Sequence, residues 1–78
     1  MDDRIKRVMS SVFNLSAGKI GEKSSPDTVA GWDSVKHMSL VVALEEEFGV
    51  EFTPEEIAEI ISFPLIRSVL KDKVKGKG

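Results

Sequence analysis

Residues 35–48 restrict this chain more than any other stretch. Their apolar side chains (Val35, Met38, Leu40, Val41, Val42, Leu44 and Phe48) cover more than half the circumference of a helix, and Gly49 supplies the stop. Leu40, Leu44 and Phe48, spaced by four, make one core line. Val35, Met38 and Val42 lie on a partly different face and are expected at the surface. In a chain of 78 residues the core has to be modest, so a helix of this kind must be the element on which the rest packs. One domain is expected, with a core over about 2–74 and a frayed Lys/Gly tail at 75–78.

The other segments carry the same period. Ile5, Val8, Met9, Val12 and Phe13 form one helical face, with Asp2 or Asp3 as the cap, and the stripe ends near Asn14 and Leu15. Thr53-Pro54-Glu55-Glu56 is a strong helix start: Thr53 caps, Pro54 takes the first helical position, and Glu56 reaches back in a capping box. A short helix follows, with Ile57, Ile60 and Ile61 as its buried face. Ser62 caps a fourth helix bearing Phe63, Ile66, Val69, Leu70 and Val74, and Pro64 is tolerated in its first turn. Residues 16–33 show neither helical nor strand period, and Ile20, Val29 and Trp32 are their apolar anchors. A loop this long in so small a domain tends to be functional. Val50-Glu51-Phe52 is too short to stand as a strand. The expected fold is all-α: a small four-helix bundle of three longer helices and one short one, with a long first loop.

Charge and composition narrow the function. There is no cysteine and a single histidine, which removes disulfide frameworks, thiolate zinc sites, cysteine nucleophiles and histidine metal clusters. The longest apolar run, residues 40–44, is far too short to span a bilayer, and no signal-peptide pattern is present, so the cytoplasm is the expected address and no membrane partner is expected. The formal net charge of −2 hides a polyanionic middle: residues 33–59 carry −7, against +1 before and +4 after. That face disfavours phosphate backbones, so no nucleic-acid partner is expected. The acidic residues lack the spaced oxygen ligands and central glycine of a Ca²⁺ loop. They read as a solvated face that basic partner enzymes would meet electrostatically.

The residue that carries chemistry is Ser34. It sits where the long loop, ending Gly31-Trp32-Asp33, becomes the central helix. Free backbone N–H groups and the helix dipole favour an anion there, so a phosphate ester on Ser34 is well placed, with Asp33 as the capping residue. A purely structural N-cap pair explains the same dipeptide. A hydrolase built from Asp33, Ser34 and His37 is a poor alternative, because a triad also needs an oriented base, oxyanion donors and a pocket. His37 reads instead as a surface residue that modulates partner binding.

Taken together, Asp33-Ser34 opening a helix, Leu40-Val41-Val42-Ala43-Leu44-Glu45-Glu46-Glu47-Phe48-Gly49-Val50, and the Thr53-Pro54-Glu55-Glu56 start resemble the acyl carrier protein family. The resemblance covers nearly the whole chain, to about Val74. It implies that Ser34 carries 4′-phosphopantetheine, that a phosphopantetheinyl transferase installs it from coenzyme A, and that the thiol of the arm holds an acyl or aminoacyl group. The reactive sulfur would then belong to the cofactor and the chain itself would not be an enzyme. It further implies partners that load and use the cargo (an acyl-loading ligase or acyltransferase, and a ketosynthase or other pathway enzymes) and a monomer that presents cargo to them. Val35, Met38 and Val42 would be docking residues, Glu45 and Glu46 would continue an acidic docking side, and the Leu40, Leu44, Phe48 line with Ile57 and Ile61 would border any acyl cavity. Val35 replaces the usual leucine after the serine, and Lys36, His37 and Ser39 stand where acids are common. The resemblance is therefore closer to carriers of dedicated acyl, polyketide or aminoacyl and peptidyl pathways than to the main fatty-acid carrier. A carrier-like fold serving only as an interaction module is the alternative.

Overall fold

The computed structural model describes residues 2–77, with side chains for 2–74. Four helices follow in order: α1 (Asp2–Phe13), α2 (Ser34–Phe48), α3 (Pro54–Glu59) and α4 (Phe63–Lys77). A single 3₁₀ turn, Ala17–Lys19, interrupts the long first loop. Among the described residues there is no strand. Helix α1 packs on α2 and on α4, and α3 packs on α4.

The stripes read from the sequence meet in one core. Helix α1 contributes Ile5, Met9 and Phe13; α2 contributes Leu40, Val41 and Leu44; α4 contributes Phe63, Ile66 and Leu70. Each large aliphatic side chain withdrawn from water in this way stabilises the fold by about 1.5–3 kcal/mol. Phe48 closes the lower end of the α2 line only partly buried, with the Arg4 guanidinium 4.5 Å above its ring. Arg4 also donates to the Glu47 carboxylate (2.9 Å) and the Glu47 carbonyl (2.7 Å), which fixes α1 along the end of α2.

Helix ends follow local chemistry. Asp33 caps α2, and Gly49 ends it in the left-handed region at φ 64°. Thr53 and Glu56 form the capping box of α3 in both directions. The Ser62 hydroxyl accepts the Leu65 N–H at the start of α4. Asp2 and Asp3 lie inside the first turn of α1 rather than capping it; there their charge suits the positive end of the helix dipole. Helix α4 runs on to Lys77; the loose tail expected at 75–78 concerns Gly78 and side chains outside the described ones.

Burial and the loop also depart from expectation. Ile61 is not part of a buried face: it is 48% exposed, whereas Ile60 is fully buried. Helix α3 stops at Glu59, and Ile60 at φ −79°, ψ 60° leaves helical geometry, so the period that would have turned Ile61 inward no longer applies. Ile61 therefore cannot border a core cavity.

Nor is the long loop structureless. Ile20, Val29 and Trp32 are buried as expected, and the buried Ser24 joins them. Its hydroxyl accepts the Gly21 N–H (2.9 Å) and its carbonyl accepts the first N–H of α4, that of Phe63 (3.0 Å). Thr28 donates to the Lys23 carbonyl (2.8 Å) and accepts the Ser25 N–H (3.0 Å). Arg67 on α4 grips Glu22 through two nitrogens (2.6 and 3.1 Å) and Asp2 through one (3.2 Å). The hydrogen bond to Glu22, then that to Asp2, holds this guanidinium protonated beyond its already high value, against the opposing effect of burial. The loop is thus moored at both sides before it delivers Ser34.

Candidate functional site

The loop reaches α2 through Gly31 at φ 85°, a left-handed conformation that suits glycine. Trp32 follows, only 6% exposed, with its ring 5.0 Å from that of Phe13. Asp33 is extended (φ −107°, ψ −173°), and its side chain accepts the Lys36 N–H at 2.8 Å. Its carbonyl accepts the His37 N–H at 2.8 Å, the bond that closes the first turn. Ser34 is the first residue of α2 and its side chain is exposed. Asp33 satisfies the Lys36 N–H, so the N–H groups of Ser34 and Val35 remain at the open end of the helix, where the dipole favours an anion. The exposed Ser34 hydroxyl leaves room for an anionic group here, and the helix dipole would favour it.

His37 is not the free surface residue expected. Its ring lies edge to edge with Trp32, with centroids 6.1 Å apart and planes 22° from parallel. The Trp32 Nε1–H points at His37 Nδ1 (3.0 Å), and His37 Nε2 lies 2.7 Å from the Ile57 carbonyl. The indole can only donate and the carbonyl can only accept, which assigns the neutral tautomer with its proton on Nε2. Both nitrogens are therefore engaged away from Ser34, and the Asp33 carboxylate is on a backbone N–H instead of the imidazole. The hydrolase arrangement of Asp33, Ser34 and His37 has no available base.

Val35, Met38 and Val42 are 76%, 48% and 49% exposed, as the pattern predicts. With Ser34, Ser39, Ala43 and Glu46 they line an open apolar trough down the outer face of α2. The acidic run beside it divides three ways. The half-buried Glu45 accepts the Phe52 N–H (2.9 Å), Glu47 is held by Arg4, and among the described residues Glu46 has no partner. Farther on, Glu56 pairs with Lys73 at 2.6 Å. That hydrogen bond and the Thr53 N–H hold the Glu56 carboxyl below the ordinary glutamate value. Of the acids read as a docking face, Glu47 and Glu56 are thus paired with cations within the fold. Among the described residues no three carboxylates or imidazoles gather as a cation site requires.

The sequence placed Ser34, Asp33 and the exposed stripe. It missed the tethers of Ser24, His37 and Glu45, for which only the single histidine beside a tryptophan five residues away gave a hint. A family model for the phosphopantetheine attachment site matches residues 3–63, from α1 to the first residue of α4.

Proposed function

This chain belongs to the phosphopantetheine-attachment family, a family of non-catalytic carriers whose cofactor is 4′-phosphopantetheine, and from that premise we propose that it is an acyl carrier protein bearing the group on Ser34. The observation that carries the choice of residue is the exposed hydroxyl at the first position of a 15-residue helix, with Asp33 capping beside it. When bound, the arm supplies a thiol that holds an acyl or aminoacyl group as a thioester. Asp33 fixes the start of the helix, and the N–H groups of Ser34 and Val35 would be available to the phosphate.

Carriers of this family work with a transferase that loads the arm and with pathway enzymes that use the cargo. For this chain we assign the docking surface to Val35, Met38 and Val42, with Glu46 as its free acid; Glu45 serves the fold. The apolar trough, on a helix with no acid in its first turn, favours partners of a dedicated acyl, polyketide or aminoacyl pathway over those of bulk fatty-acid synthesis. An acyl-loading ligase or acyltransferase and a ketosynthase are the expected classes, in the cytoplasm where coenzyme A is at hand. Among the described residues no helix is long and apolar enough to cross a membrane.

Incubation with coenzyme A and a broad-specificity phosphopantetheinyl transferase should add one phosphopantetheine to the intact mass, and Ser34→Ala should abolish the gain. No gain with several transferases, or an undiminished gain in the variant, would overturn the assignment. The native holo form would show the cargo on the ejected arm.

A further inference from the structure

His37 joins two other parts of the molecule through one ring, beside its own main-chain bond. Its main-chain N–H closes the first turn of α2 on Asp33, its Nδ1 receives the Trp32 indole N–H, and its Nε2 donates to the Ile57 carbonyl of α3. The last contact answers a specific need. In a longer helix the Ile57 carbonyl would take the N–H of Ile61, but that N–H bonds to Glu59 instead (2.8 Å). The imidazole therefore satisfies a helix-end carbonyl left over where α3 stops. The Trp32 contact acts on the other side: Trp32 is two residues before Ser34, and its indole is clamped between Phe13 and His37.

We infer that His37 is a positioning residue for modification of Ser34, acting through Trp32 to hold the approach to the serine in register with α2. The inference rests on the reading of Ser34 as the attachment residue. In that step the Ser34 oxygen forms a P–O bond to the phosphorus that bears the pantetheine. The diphosphate P–O bond of coenzyme A breaks, adenosine 3′,5′-bisphosphate leaves, and the hydroxyl proton passes to the transferase. His37 takes no part in that exchange, since both its nitrogens are occupied. It sets where the hydroxyl stands when the transferase meets it.

The two ring nitrogens can be tested separately. From the same helical position an asparagine amide oxygen reaches about as far as Nδ1, and a glutamine amide nitrogen about as far as Nε2. His37→Asn keeps an acceptor for Trp32 and loses the bond to Ile57; His37→Gln does the reverse. With coenzyme A and one transferase, H37Q and His37→Ala should lose about tenfold in kcat/KM for loading, the scale of a lost positioning contact, while H37N stays within about threefold of the wild type. Trp32 is the single tryptophan, so its indole N–H resonance reports the same split: preserved in H37N and moved in H37Q. Amide exchange should show the converse in α3, faster in H37N and unchanged in H37Q. Loading by H37Q at the wild-type rate would overturn the inference, as would losses in all three variants that simply track their denaturant midpoints. If the position tolerates no substitution, Trp32→Phe keeps the ring packing and the Ile57 bond but removes the indole donor, and should show the same tenfold loss; full-rate loading of W32F would overturn the inference. Failure of the wild-type chain to accept the group would instead count against the assignment of Ser34.

Discussion

Glu45 holds Phe52: the carboxylate on the last turn of α2 accepts the Phe52 N–H at 2.9 Å, which fastens the segment leading into α3 under the end of the central helix. Phe52 is buried there, with the Lys73 ammonium 5.6 Å from the centre of its ring. A bond of this kind, with an ionised acceptor and a half-buried donor, separates Glu45 from the adjacent Glu46, which faces the open trough.

Glu45→Ala should therefore destabilise the fold by about 1–2 kcal/mol, as expected when a charge-assisted bond is lost and its donor stranded. Glu46→Ala should stay within about 0.5 kcal/mol and act on partner turnover instead. Urea denaturation of the two variants checks this; equal losses would mean that Glu45 is not the structural member of the pair.

Val35→Ala should change stability by less than about 0.5 kcal/mol and Met38→Ala by less than about 1 kcal/mol, because Val35 is mostly in water and Met38 about half. Leu44→Ala, on the fully buried face of the same helix, should cost about 2–5 kcal/mol. Phe48→Ala should cost less than about 3–5 kcal/mol, the range for a fully buried phenylalanine, since its ring is only partly covered. The outer-face variants should slow reaction with a partner enzyme. A Met38→Ala protein as unstable as Leu44→Ala would show that the helix faces have been assigned the wrong way round.

Gly31→Ala should lose about 1–2 kcal/mol from its left-handed backbone alone, since no atom lies within 4 Å of the added Cβ. Gly18→Ala is the control: the space is equally open and the backbone is not left-handed, so little change is expected. Thermal or denaturant midpoints of the pair isolate the backbone contribution.

Glu56 gives a pH-dependent contribution of definite sign. Its folded-state carboxyl lies below the ordinary value of 4.5, first because of the hydrogen bond from Lys73 and then that from the Thr53 N–H. The contribution of its charge is fully present above that ordinary value and is lost as pH falls through the lower, folded one. Glu56→Gln keeps an acceptor for the capping box and removes the charge. The gap in urea midpoint between wild type and Glu56→Gln should narrow on acidification from neutrality to below 4.5. A gap that stays constant would assign the effect to shape alone.

The sequence by itself determined the parts of this protein that depend on near neighbours along the chain. Helical period exposed the core stripes, the Thr53–Glu56 box and Gly49 marked where helices begin and end, and Asp33 put Ser34 at an exposed helix start, all within a turn or two of backbone. The tertiary structure decided what depended on distant partners. Glu47 meets Arg4 across 43 residues, Arg67 meets Glu22 across 45, and His37 meets Ile57 across 20. Ile61 turned outward because α3 ended two residues short of its apolar pattern. Period and capping are properties of a short segment, whereas the partner of a charge or an imidazole is set only when separate helices are brought together, and that is why the exposed serine at the helix start was legible and the contacts around it were not.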